Sequence, residues 1–222
     1  MISFKYSDIH YKFIFNPNII YEIIIENPKY YYKFIIDLLT FNENTVLFSD
    51  NDIDILDNRK EYILITDPFL IDPNSKKYLT SIYKNSDTRY LNDQRRLKLN
   101  NIRKEIFDLV EEVSSDFNIS TTYNGDISLC NILEMINFKI NNSNITYCER
   151  LLAYLKSIQE LFDIKFVFIV NFLDIIDIDE MDAFLNDVSL LGINLINISG
   201  RKSFVNYKHV KSIIIDNDLC EL

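Results

Sequence analysis

The chain has 222 residues, 48% of them hydrophobic and 25% charged, which suffices for one large domain or two small ones with a sizeable core. Its apolar runs are far too short to span a membrane, and Met1-Ile-Ser-Phe-Lys-Tyr6 has no signal-peptide layout. A net charge of −10 argues against nucleic-acid binding by the whole surface.

Ile2–Tyr6 and Tyr11–Phe15 read as short strands of a small antiparallel element, with a turn at Asn16-Pro17-Asn18. Ile19–Ile25 is nearly continuously apolar, broken by Glu22. Asn27-Pro28 then supplies an N-cap and a proline at the first helical position, and Tyr31, Phe34, Ile35, Leu38 and Leu39 give the helix its stripe. Thr45–Phe48 and Tyr62–Thr66 are strand candidates. The segment Asp67–Ser75 holds two of the four prolines, Pro68 and Pro73, and reads as a boundary.

Beyond it the pattern turns helical and polar. Leu99, Ile102, Ile106, Leu109, Val110 and Val113 share one helical stripe, with Arg96 and Arg103 together on its flank, Lys104 farther round and Arg95 nearer the apolar side. Ser120–Gly125 breaks that helix and Asp126–Asn137 starts another, so residues 68–138 read as a helical insertion. Lys139-Ile140 reads as a short edge.

Thr146 and Glu149 have capping-box spacing, and Leu151, Leu155, Ile158 and Phe162 mark the helix that follows. It leads into Lys165–Asn171, whose five consecutive apolar residues fit a strand covered on both faces, the expected centre of the sheet. Asp177 and Glu180 repeat the capping geometry before a helix with Met181, Phe184, Leu185 and Val188 on one face. Ile193–Ile198 and Ser212–Ile215 are further strands. Helix–strand–helix–strand order with short links implies right-handed crossovers and a mostly parallel sheet, hence an α/β head built from 1–67 and 139–222.

Parallel α/β sheets often hold nucleotides, but Gly125, Gly192 and Gly200 are the only glycines and none has phosphate-loop spacing. Asp174, Asp177, Asp179, Glu180 and Asp182 cluster after the strand at 165–171. They fit either a metal site for phosphoryl transfer or, as the favoured reading, a solvated loop with acids at a helix start. His10 and His209 read as surface or strand-edge residues, and Tyr30-Tyr31-Tyr32 as packing residues. Cys130, Cys148 and Cys220 lack metal-type spacing and read as reduced thiols of a cytoplasmic protein.

The sharpest signal is charge. Lys76, Lys77, Lys84, Arg89, Arg95, Arg96, Lys98, Arg103 and Lys104 are opposed only by Asp87 and Asp93, so this stretch carries +7 and the rest of the chain −17. Such asymmetry is expected of one surface built for an anionic partner on a body that otherwise repels it. A solvated helical face is the bland alternative.

Tyr62-Ile-Leu-Ile-Thr-Asp67 with its proline-rich exit, Asn131-Ile-Leu-Glu-Met-Ile-Asn137, and Thr146–Phe162 leading into Phe166-Val-Phe-Ile-Val-Asn171 resemble stretches of the type II-A CRISPR adaptation ring proteins, the Csn-two family. The resemblance implies a head shaped like a P-loop ATPase without the P-loop, and an inserted helical leg. It implies a homotetrameric ring whose basic inner surface surrounds double-stranded DNA, entered at free ends, without sequence preference and without catalysis. It implies a role in spacer acquisition beside the CRISPR integrase proteins and the effector nuclease. It also implies calcium held by acidic leg residues, which fall near Glu112, Asp116 and Asp126 here. Taken with the charge asymmetry, the expected DNA-binding residues are Lys76, Lys77, Lys84, Arg95, Arg96, Lys98, Arg103 and Lys104. The alternatives are a metal-dependent phosphoryl-transfer enzyme using Asp174–Asp182, and a structural adaptor without DNA.

Overall fold

The computed structural model describes residues 2–7, 9–11, 13–14, 16, 19–50, 54–55, 61–123, 125–141, 146–203 and 208–222. The chain divides into two compact units, residues 1–73 with 142–222, and residues 74–141.

The first unit is α/β. Its main sheet has five parallel strands: β3 (Ile20–Ile25), β6 (Tyr62–Ile65), β7 (Phe166–Val170), β8 (Asn194–Ser199) and β9 (Val210–Ile215), in the order β6-β7-β8-β3-β9. The run at 166–170 is an interior strand, as its unbroken apolar character demands. The middle place belongs to β8, however, not to β7 as the sequence suggested. Every residue of β3 and of β8 is buried. A second, antiparallel sheet joins β1 (Ile2–Tyr6), β2 (Phe13–Ile14), β4 (Val46–Asp50) and β5 (Asp54–Ile55), in the order β2-β1-β4-β5. Part of the expected turn at 16–18 lies outside the described residues.

An aromatic cluster fills the space where side chains of the two sheets meet. Phe4 packs edge-on against Phe168 with ring centroids 5.3 Å apart, and Phe48 lies 4.7 Å from Phe166 and 5.4 Å from Tyr62. Burying each such side chain contributes about 1.5–3 kcal/mol, and each ring pair about 0.5–1.5 kcal/mol more. Strand alternation turns Val167 and Ile169 to the opposite face. The buried stripes of helices α5 (Tyr147–Phe162) and α6 (Ile178–Leu190) are Leu151, Leu155 and Ile158, and Met181, Phe184, Leu185 and Val188; they lie outside the aromatic cluster. Helix α5 starts at the Thr146–Glu149 capping box, as its sequence directs, whereas at α6 the Asp177 side chain accepts from the Asp179 amide, a single cap in place of the expected Asp177–Glu180 box.

The second unit holds α2 (Lys76–Arg89), α3 (Asp93–Ser115) and α4 (Leu129–Met135), with α2 packed on α4. Helix α4 begins at a Ser128–Asn131 capping box, three residues later than the helix expected from Asp126. No strand forms at Lys139-Ile140. Instead the Asn74 side chain binds both backbone groups of Ile140, at 2.8 and 2.9 Å. Of the stripe expected on α3, only Leu99 is buried; Ile102, Leu109 and Val113 are 44%, 60% and 49% exposed.

Candidate nucleic-acid interface

Where a phosphate loop would follow the first strand of such a sheet, β3 runs through Glu26 into Asn27 and α1 (Pro28–Leu39) with no glycine between. The Asn27 carboxamide oxygen accepts from the Lys29 and Tyr30 amides, and Pro28 has no N–H to give. The free donors of the helix start are thus used within the chain.

At the carboxyl edge of β7, the acids Asp174–Asp182 serve local structure. Asp177 caps α6, Asp174 lies 3.9 Å from Arg201, and Asp182 lies 3.5 Å from His209. These pairings fit the favoured reading of that cluster. His10 is exposed and His209 half-buried. Cys148 is buried, and that burial, reinforced by Glu180 and then Asp177, pushes its thiol up to about 12. Cys148, Cys130 and Cys220 are all unbridged.

The expected DNA-binding side chains all fall on two helices of the second unit. Lys76, Lys77 and Lys84 are exposed on α2, and Arg95, Arg96, Lys98 and Lys104 are exposed on α3. Lys77 and Lys84, seven residues apart, share one side of α2. On α3 the cations do not all share a side: Arg95 and Lys98 lie about 60° apart, while Arg96 and Lys104 point about 100° and 180° away from Arg95.

Arg103 is different. It is half-buried: its Nε donates to the Ile127 carbonyl, its Nη1 to Asn100 Oδ1 at 3.3 Å, and its Nη2 lies 3.7 Å from Asp126. It pins the connection before α4 onto α3, a task that charge counting along the chain did not anticipate. The available cue was the acid Asp126 one residue before Ile127.

Of the residues that the resemblance implied for calcium, Glu112 lies in the last turn of α3, Asp116 is its C-cap, and Asp126 pairs with Arg103. Among the described residues no three His, Cys, Asp or Glu side chains are grouped to hold a metal ion. Among the described residues, Glu112, Asp116 and Asp126 of one chain are thus not gathered into a carboxylate cluster of the kind calcium favours. Among the described residues no helix is long and apolar enough to cross a membrane.

The family model described as CRISPR-associated protein (Cas_Csn2) matches residues 39–219. A solved structure from Pyrococcus furiosus, described as an ABC transporter (ATP-binding protein), is similar over 95% of this chain and 96% of that chain, at 11% identity and a TM-score of 0.41. That likeness carries nothing about activity. No curated protein matches the chain.

Proposed function

This chain belongs to the CRISPR-associated protein (Cas_Csn2) family, and we propose that it is a non-enzymatic, sequence-independent double-stranded DNA binder that acts as a homotetrameric ring. Four copies enclose duplex entered at its ends, and the ring serves spacer acquisition in antiviral defence beside the CRISPR integrase proteins and the effector nuclease. The observation that carries this reading is the placement of solvent-facing cations on α2 and α3 of one unit, in a chain whose other residues sum to −17.

The physics is phosphate neutralisation. Lysine and arginine release condensed counterions from the duplex, so affinity falls steeply with salt and carries no sequence information. The Lys76, Lys84 and Lys104 side chains are exposed and available to phosphate, as is Arg96 beyond its Nε bond to the Leu91 carbonyl at 3.5 Å, whereas Arg103 is committed to Ile127 and Asp126. The surrounding negative charge opposes binding elsewhere on the surface.

Retention on DNA of different topology tests it. The chain should bind linear duplex and be retained poorly on closed circles of the same length and sequence. Equal salt-resistant retention on both would overturn the ring. Divalent-metal-dependent cleavage abolished by Asp177→Asn and Asp179→Asn would instead establish the enzyme reading.

A further inference from the structure

One cleft of the α/β unit gathers three different kinds of metal-ligating side chain. It has a volume of about 400 Å³ and is lined by Asp182, Leu185, Asn186 and His209. Asp182 and Asn186 stand one turn apart on α6, about 40° apart around its axis, and so share a side. His209 is supplied by a different element, as the residue that enters β9. Leu185, itself buried, adds an apolar wall.

His209 Nε2 lies 3.5 Å from Asp182 Oδ1, and the two side chains are 40% and 79% exposed. That separation is longer than a good N–H···O hydrogen bond, which closes to about 2.7–3.2 Å. It matches two ligand atoms on one tetrahedral ion, since bonds of about 2.1 Å at the tetrahedral angle set such atoms about 3.4 Å apart. Among the described residues the Asn186 carboxamide has no hydrogen-bond partner; only its backbone carbonyl accepts, from Ser189 Oγ. Helix α6 carries Asp179, Glu180, Asp182 and Asp187 and no base, so its field favours a cation. The other histidine, His10, also stands 3.3 Å from a carboxylate, that of Glu221. There, however, the two carboxylate oxygens already accept the His10 and Tyr11 amides.

We propose that Asp182, Asn186 and His209 bind a divalent transition-metal ion of the zinc class. The imidazole nitrogen and the carboxylate oxygen are the strong ligands. The carboxamide oxygen is a weaker third, and water completes the shell on the solvent side. An imidazole in the set separates this site from a calcium or magnesium site, whose ligands are oxygens. Asp174 and Asp177 take no part, since one lies near Arg201 and the other caps α6. The bound ion ties the entry of β9, the last strand of the main sheet, to α6. Nothing in this site depends on DNA binding, whose cations lie on the other unit.

The test is isothermal titration calorimetry of the full chain with zinc chloride, repeated in excess calcium chloride. Zinc should bind saturably, and calcium should leave the affinity unchanged. Loss of an outer partner of a metal ligand typically costs 10–100-fold in affinity, so loss of a ligand should cost about tenfold or more. Asp182→Ala and His209→Gln should each weaken zinc binding by that factor, and Asn186→Ala by less. His10→Gln and Cys220→Ser should leave it unchanged, which separates the cleft from the other histidine and from the exposed thiol. Asp182 and Asn186 are exposed, so circular dichroism of their variants should match the parent. Hydrogen exchange supplies a second readout: zinc should raise protection around His209 and the first turns of α6, and should not do so in Asp182→Ala. The proposal is overturned by a parent chain that does not bind zinc, or by calcium competing at equal concentration. It is equally overturned if Asp182→Ala and His209→Gln retain full affinity, or if His10→Gln or Cys220→Ser abolishes binding.

Discussion

Asn197→Ala should destabilise the α/β unit by about 3–5 kcal/mol, because the residue sits between two buried polar groups that have few other partners. Asn197 is 1% exposed on β8 and pairs in register with Glu22 of β3, which in turn pairs with Ser212 of β9. Its Nδ2 donates to the Glu22 carboxyl at 3.2 Å, and its Oδ1 accepts from the Phe172 amide at 3.0 Å. Ser212 Oγ donates to the other carboxyl oxygen at 2.6 Å. Alanine removes two hydrogen bonds and leaves a buried N–H and half of a buried carboxyl group unmatched, each at about 1–3 kcal/mol. Ser212→Ala alone removes one and should cost about 1–2 kcal/mol. The double variant should depart from additivity by more than about 0.5 kcal/mol, because both residues act on Glu22. Urea unfolding followed by far-UV circular dichroism reads all three, with unchanged m-values required for the comparison. A loss under about 1 kcal/mol for Asn197→Ala, or strict additivity, would refute the claim that this ladder is a coupled unit.

Replacing Lys84, Arg96 and Lys104 with alanine should weaken binding to all duplex sequences alike. It should also reduce the slope of log affinity against log salt by about 0.9 for each phosphate that is no longer neutralised, as read by fluorescence anisotropy. Asp37 adds a pH dependence. Burial alone would raise its carboxyl, but hydrogen bonds from Tyr6, Asn42 and Thr45 and the charge of Lys33 together hold it below the usual range. A carboxyl lowered in the folded state gives stability that is present above its unfolded value near 3.8 and is lost as pH falls through the folded value. Tyr6→Phe removes the 2.5 Å bond to Asp37, so it should cost about 1–2 kcal/mol at neutral pH and less at pH near 3, by urea unfolding at both. Thiol labelling at neutral pH should modify exposed Cys220 readily and spare buried Cys148, whose thiol is pushed up to about 12, with mass spectrometry locating the adduct. Arg103→Met should lower hydrogen-exchange protection around Ile127 and Ser128 while leaving that of β7 unchanged.

Local chemistry along the chain was enough to place most elements of the α/β unit. Asn27-Pro28, Thr146–Glu149 and Asp177 announced three helix starts because a cap is decided by the few residues that form it. The run at 20–25, apolar but for Glu22, and the unbroken run at 166–170 announced buried strands. Short links between helix and strand fixed the parallel sense. The absence of a glycine-rich loop was equally plain. Strand order was not: Phe166–Val170 is wholly apolar while Asn194–Ser199 carries Asn194, Asn197 and Ser199, yet long-range pairing puts the more polar strand in the middle.

In the helical unit the sequence determined that nine cations gather between residues 76 and 104, and the family resemblance suggested what they meet. Only the folded chain decided which of them remain open to solvent. Arg103 turns inward to Ile127 because the backbone carbonyl and Asp126 come within reach once the connection folds back on α3. Ile102, Leu109 and Val113 share a stripe with Leu99 by periodicity, yet they stay largely exposed, with Leu109 and Val113 lining an open groove beside Phe117 and Tyr123 rather than a closed core. Periodicity fixes which residues share a face; whether that face is buried depends on what the rest of the chain, or another copy of it, brings against it.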